Sequence, residues 1–352
     1  MRYKVVIVVL LFFFNSCQNK EKQENICFDE AQKIRVPLSE IAESVNKIEL
    51  ETSEQSILNI RIRDFDIEIL DQYYLIKDGG GSRTIKVFDQ QGRYVREIGK
   101  LGPGPEEFTR TSKPFVVNKE KGEIIIPTNV GIMVYDINNN FIEKGPVIKG
   151  FLTDMWYFDD KLYSIITDDR LIRIREMDIL LTVYDSKWNM TDSLLVRKYT
   201  DYGVLYADSR RFSKHQNMLC FAYSLKIPPQ PLTIDTVYTL NNHQLKPVMI
   251  VNSSKHRIAP DIILTDRYLF ATYSSNVDQG ESYLSYLVYD TKTQKSKNTD
   301  RGFVDDFYNT GDVTWIGLIP NTDKFFFFRE TEFSENIEIE PNPTLYVGTF
   351  KK

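Results

Sequence analysis

Short apolar runs recur along the chain, each bounded by polar turn residues. They lie at Tyr73–Ile76, Glu123–Ile126, Lys161–Ile166, Met218–Tyr223, Arg267–Tyr273 and Lys324–Phe328. Turn formers precede several of them: Asp71-Gln72, Glu120 to Gly122, Asp159-Asp160 and Asn321 to Asp323. Further along each unit a second run ends on an aromatic. These are Val87-Phe88-Asp89, Val134-Tyr135-Asp136, Val183-Tyr184-Asp185 and Val288-Tyr289-Asp290, with degenerate copies at Val237-Tyr238-Thr239 and Leu345-Tyr346-Val347. Paired runs of this length, separated by turn residues, predict antiparallel hairpins. The Asp is expected to cap the following turn by accepting backbone amides, and the aromatic to pack between neighbouring sheets. A helix is predicted only over Leu38 to Asn46, with Ser39 as its cap and Glu40 and Glu43 in the first turns.

The aromatics are spaced by 47, 49, 54, 51 and 57 residues. A period near 50 residues marks an array or a propeller. Each unit supplies a second strand, an aromatic-ending strand and an outer strand, and a further inner strand leads into the next unit. The fold class that follows is all-β: a six-bladed β-propeller of four-stranded antiparallel blades. Radial closure removes an unpaired edge. The alternating segment Asn46 to Glu51 precedes the first full unit, and the last unit ends the chain. The N-terminal strand is therefore expected to close the ring. Abundant Tyr and Phe agree with β-structure.

The first residues differ from the rest. Arg2 and Lys4 precede an apolar run, Val5 to Phe14, of about ten residues. Such a run is too short for a spanning helix of roughly 20 residues, but it suits the apolar centre of a signal peptide. The run ends at Phe14-Asn15-Ser16-Cys17, which resembles the lipobox of bacterial lipoproteins. The resemblance implies cleavage before Cys17 and acylation of its thiol. It also implies outer-membrane anchoring through the N-terminal lipid alone, facing the periplasm or the cell surface. The alternative is an ordinary signal peptide with an incidental Cys. The domain reading is residues 1–16 as signal peptide, 17–37 as a polar tether and 38–352 as the propeller.

The net charge of −5 is spread along the chain and argues against nucleic acid, which calls for a basic face. Cys27 and Cys220 could pair in an oxidising compartment, though Cys220, in an apolar strand, reads as a small core residue. No Cys or His cluster has zinc-site spacing, and the residues imply no cofactor and no bound metal. The adjacent acids Asp159-Asp160, Asp168-Asp169 and Asp305-Asp306 would face opposite sides of a strand and read as turn formers.

The stretch Arg93 to Phe108 carries Ile98-Gly99 and then Gly102-Pro103-Gly104-Pro105-Glu106-Glu107-Phe108. With Val87-Phe88-Asp89 and Gly92, it resembles the signature of six-bladed β-propeller lipoproteins of Bacteroidota, related to NHL-repeat proteins. The resemblance implies the fold and the lipid anchor. The glycine-rich stretch lacks the Lys-Ser/Thr ending of a phosphate loop, and its prolines remove amide donors. It reads as a structural turn.

Two functions remain, beside a purely structural envelope role that would show no concave polar site. One is a monomeric, noncatalytic module that binds a protein, glycan or peptide. The other is a channel-centred hydrolase or lyase of the NHL-like type. Aromatic and Arg side chains anchor binding surfaces. The candidates are Arg170, Arg173 and Arg175, then Tyr202, Tyr206, Arg210, Arg211 and His215, with Trp156 and Trp315 beside inner strands. No catalytic residue is assigned. His243, in a polar turn, is expected to face solvent.

Overall fold

The turn residues divide the chain into hairpins where the pattern expects them. A computed structural model describes residues 24–28, 31–58, 65–78, 83–111, 114–168, 176–200, 212–222, 233–253, 258–276, 282–331 and 340–352. Six antiparallel sheets form the ring. Blade I pairs Phe65–Leu70, Tyr73–Asp78, Ile85–Asp89 and Tyr94–Ile98. Blade II pairs Val116–Asn118, Glu123–Thr128, Gly131–Asp136 and Phe141–Lys144. Blade III pairs Phe151–Phe158, Lys161–Asp168, Glu176–Tyr184 and Met190–Thr200. Blade IV pairs Phe212–His215, Met218–Ala222, Thr233–Asn241 and Gln244–Ser253. Blade V pairs Ile258–Leu264, Tyr268–Asn276, Ser282–Asp290 and Lys295–Asp305. Blade VI takes Gly317–Ile319, Lys324–Arg329 and Thr344–Phe350 from the C-terminal part of the chain, and Ala42–Glu49 from the N-terminal part. The ring is thus closed by the N-terminal strand, as expected.

Tight turns shape the hairpins. Asp159 and Asp160 both have positive φ, at 50° and 54°, as do Gln216 and Asn217 and the pair Asn242 and His243. Two consecutive positive φ values give the hairpin turn whose twist matches the strands. The recurring Asp works as its spacing predicts. Asp89 Oδ1 accepts the amides of Gln91 and Arg93, both at 2.9 Å. Asp136 Oδ1 accepts those of Asn138 and Asn140, both at 2.8 Å. Asp185 Oδ1 accepts those of Lys187 and Asn189, at 2.9 and 2.8 Å. Asp290 repeats the motif with Lys292 and adds a two-pronged contact from Arg267.

That last group carries a pH signature. Burial alone would raise the Asp290 carboxyl, but the Arg267 guanidinium and the Lys292 and Thr293 amides hold it down at about 2. A carboxyl lowered in the folded state stabilises above its unfolded value, and the effect is lost as pH falls through the folded value. Stability is therefore expected to drop as pH falls from about 4 towards 2. Asp290→Asn should shrink that drop by about 2 kcal/mol. Urea unfolding of both proteins at several pH values in that window checks it. An unchanged profile refutes it.

The six repeat aromatics occupy six separate interfaces. Phe88 packs between blades VI and I, Tyr135 between I and II, and Tyr184 between II and III. Tyr238 borders the III–IV cluster, Tyr289 lies between IV and V, and Tyr346 between V and VI. Middle strands are buried on both faces, so they lose the apolar–polar alternation. In the run Phe325 to Phe328, Phe325 and Phe327 enter the V–VI cluster, while Phe326 and Phe328 enter or flank the VI–I cluster. The Phe325 ring lies over Gly348, its partner across the sheet, where a Cβ would stand 2.1 Å from the ring.

The motif stretch is a structural plug. Phe108 is fully buried between blades I and II. Its ring fills the space over Gly99, whose φ of +105° suits glycine. The Glu107 carboxylate accepts the Gly104 amide at 2.8 Å and covers Gly102. The loop thus binds its own carboxylate where a phosphate loop would hold a phosphate.

Two features differ from the sequence reading, and the cysteines, left open there, are resolved. Over Leu38–Asn46 the structure has one 3-10 turn, Leu38–Glu40, followed by the strand Ala42–Glu49. The spacing of Ala42, Val45 and Ile48 mimics a helix because this strand is buried on both sides. Val45 enters the V–VI cluster and Ile48 the VI–I cluster. Within the stretch 17–37, Glu24–Cys27 lies parallel to Gln244–Ser253, and Lys33–Pro37 lies parallel to Lys295–Asp305. These segments add fifth strands to the rims of blades IV and V. Each buries one apolar side chain, Ile26 or Val36, and Phe28, just after the first, is fully buried in the IV–V cluster. Cys27 and Cys220 are both free, Cys27 exposed and Cys220 buried. Burial pushes the Cys220 thiol up to about 12, as suits a core residue. Residues 1–23, including Cys17, lie outside the described residues.

Candidate functional site

The first strands of successive blades lie beside one another around the axis. Their short turns into the second strands surround one end of the central channel. A cavity of about 480 Å³ opens there, lined among others by Asn118, Lys119, Glu120, Asp159, Asp160 and Asn217. Burial pulls the Lys119 ammonium below its ordinary value. Glu68 opposes that shift, while Lys324 and Lys214 reinforce it. Charged groups from blades I, II, IV and VI therefore share one field at this mouth.

The mouth is bridged from blade III to the opposite blade VI. The Trp156 indole N–H donates to Asn321 Oδ1 at 3.0 Å, and Asn321 Nδ2 donates to the Tyr157 carbonyl at 2.9 Å. Asn321 sits at a positive φ of 55°, which Asn tolerates better than most residues. Trp156 is buried in the III–IV cluster, with its ring 6.5 Å from that of Phe212. It is thus both a packing residue and a tie across the channel.

His215 lies near the same end. Its Nδ1–H donates to the Thr265 carbonyl of blade V at 2.8 Å, because a carbonyl can only accept. His243 is exposed and meets Asp192 at 2.5 Å. Two of the acid pairs lie in turns, while Asp168 ends the strand Lys161–Asp168 and Asp169 lies outside the described residues. Asp159 and Asp160 form one. Asp305 Oδ1 accepts the amides of Phe307 and Tyr308, both at 3.1 Å. Among the described residues, no group of three or more His, Cys, Asp or Glu side chains could hold a metal.

At the other end of blade VI, Trp315 precedes the first strand and Arg329 closes the second. Two adjoining clefts, of about 360 and 680 Å³, meet at Arg329 and Glu330. Trp315, Phe327 and Phe328 wall the smaller one, and Lys47, Thr310 and Asn342 contribute to the larger. Trp315 stands edge-on to Phe326 at 5.4 Å and 79°. The Arg329 guanidinium lies 5.8 Å from the Phe327 ring centre. Burial pulls its pKa below the ordinary value, against the attraction of Asp305.

The structure therefore places the candidates Trp156 and His215 at the turn end of the channel, and Trp315 at the other end. Arg170, Arg173, Arg175, Tyr202, Tyr206, Arg210 and Arg211 lie outside the described residues. Arg329 and Lys119 escape a reading of the sequence. Arg329 ends an ordinary apolar strand, and Lys119 stands in an ordinary polar turn.

The family described as "Domain of unknown function (DUF4934)" matches residues 23–347. A putative exported protein from Bacteroides fragilis NCTC 9343 is 17% identical and superposes with a TM-score of 0.66. That match covers 93% of this chain and 100% of the other. Hydrazine synthase from Kuenenia stuttgartiensis is 13% identical, with a TM-score of 0.48, over 78% of this chain and 76% of the other. No curated protein matches the chain. Among the described residues, no helix is long and apolar enough to cross a membrane.

Proposed function

The chain belongs to the DUF4934 family, and we propose that this member is a noncatalytic binding module of the bacterial cell envelope. The observation that carries this reading is the paired cleft at Arg329 and Trp315. Binding sites are concave and largely apolar, with a few placed polar groups, and Arg and Trp are their commonest anchors. The ligand is a protein, peptide or glycan, and the propeller works as a monomer. The turn end of the channel, tied across by Trp156 and Asn321, serves as structure.

Export is supported by the leader-like residues 1–16 and by the name of the similar Bacteroides protein. Lipidation of Cys17 then holds the propeller at the outer membrane, facing the periplasm or the cell surface, as in the NHL-like propeller lipoproteins it resembles. Cys17→Ala is expected to move the protein from the membrane pellet to the soluble fraction, since one deleted thiol removes the only lipid attachment. Retention of the variant in the pellet overturns the anchor.

The binding reading is tested on glycan and peptide arrays. A captured ligand should lose at least about tenfold in affinity with Trp315→Ala, the scale of one hot-spot side chain, while the thermal midpoint shows the ring intact. Capture indifferent to Trp315 would move the site elsewhere on the ring.

A further inference from the structure

Arg329 is held with one donor that finds no acceptor among the described residues. Its Nε–H donates to Thr310 Oγ1 at 3.1 Å. Thr310 Oγ1 in turn donates to Asp305 Oδ2 at 2.5 Å. Asp305 is itself fixed by the amides of Phe307, Tyr308 and Thr310. The guanidinium plane is thereby oriented through two hydrogen bonds and packed near Phe327. Its Nη2 is shielded from solvent and has no hydrogen-bond partner among the described residues.

Three carboxylates of the surrounding strands and turns are engaged elsewhere. Asp305 is taken up by its own turn. Asp312 is gripped by Arg35 through both oxygens. Glu49 pairs with Lys47 at 2.7 Å. A buried donor left without an acceptor is costly and rare in native proteins. Arginine also presents a planar fork that matches a carboxylate in two-pronged fashion. Beside this fork, Trp315 and Phe328 offer an apolar wall within the same cleft.

We propose that the Arg329–Trp315 cleft binds an organic carboxylate: the acid group meets Arg329 and the flat or apolar part of the ligand lies along Trp315. This deepens the binding reading and rests on it. Glu330 lines both clefts and is exposed. It is the acid that weakens such binding by repulsion.

The test titrates the full chain in detergent with benzoate, its neutral counterpart benzamide, and inorganic phosphate, followed by calorimetry. Benzoate is expected to bind at least about tenfold more tightly than benzamide, the scale of one charged hydrogen-bonded contact. Arg329→Gln should erase that preference. Arg329→Lys, which keeps the charge and the stem beside Phe327, should restore part of it and serves as the folding control. Glu330→Gln should tighten benzoate about two- to threefold, as removal of one exposed like charge would. Equal binding of benzoate and benzamide, unaffected by Arg329→Gln, overturns the carboxylate site and leaves the binding reading standing. Phosphate binding more tightly than benzoate overturns the carboxylate class. If neither benzoate nor benzamide binds, the cleft is no ligand site and both readings fall.

Discussion

A chain that begins at Glu51 is expected to lose its cooperative unfolding transition, whereas one that begins at Leu38 keeps it. The segment between them holds the closing strand, Ala42–Glu49, which pairs along Thr344–Phe350. Removing it leaves the outer edge of blade VI open and strips Ala42, Val45 and Ile48 from two blade interfaces. Full burial of a Val or Ile side chain contributes roughly 1.5–3 kcal/mol. With Leu50 also lost from the VI–I cluster, the total is on the order of 5 kcal/mol or more. Native proteins are stable by only about 5–15 kcal/mol. An exposed strand edge also invites pairing between chains, so aggregation should accompany the loss. Urea unfolding followed by circular dichroism and tryptophan fluorescence decides it. Equal midpoints for chains beginning at Glu51 and at Leu38 would show that the ring does not depend on its N-terminal strand.

Phe108→Ala is the second large effect. Its ring is fully buried and sits in the cluster joining blades I and II with Tyr135, Ile124 and Val87. Truncating a buried Phe costs about 3–5 kcal/mol, from lost transfer energy and the cavity left behind. Here the backbone is also committed to the ring. The Phe108 amide donates to the Lys100 carbonyl at 3.0 Å, and the Phe108 carbonyl accepts the Gly102 amide at 3.1 Å. The loop therefore has little freedom to collapse into the space. Gly99→Ala attacks the same contact from the other side, because its Cβ would stand 2.8 Å from the Phe108 ring at a φ of +105°. Both variants should lower the urea midpoint without altering the slope of the transition. A midpoint unmoved by Phe108→Ala would mean the motif is not a packing device.

The blades were legible because their signals are local. An Asp that caps its own turn needs only the next four residues, and the aromatic before it repeats at every interface. The closing strand was legible from its alternation and its place ahead of the first unit. Its N-terminal half, with Val45, was hidden because burial on two sides gives a spacing that imitates a helix. The rim strands at Glu24–Cys27 and Lys33–Pro37 show one buried side chain each, too faint a pattern for a sequence reading. They exist because the outer strands of blades IV and V offer free backbone partners. At the candidate site, Trp315 stood out as a large aromatic beside an inner strand. Arg329 did not, because its meaning depends on Thr310 and Asp305, which lie 19 and 24 residues away along the chain. Trp156 carried two roles at once, and only the Asn321 contact from the opposite blade separates a core residue from a cross-channel tie.

The route of the N-terminal segment has a mechanical consequence. The described chain starts at the rim of blade IV, continues along the rim of blade V and ends as the closing strand of blade VI. A pull applied ahead of Glu24 loads these three attachments in series. The four-residue clip on blade IV must peel away before the clip on blade V feels tension. Both must fail before the strand that closes the ring is loaded. Under such a load the two rim strands would yield first, lengthening the segment while the closing strand stays paired.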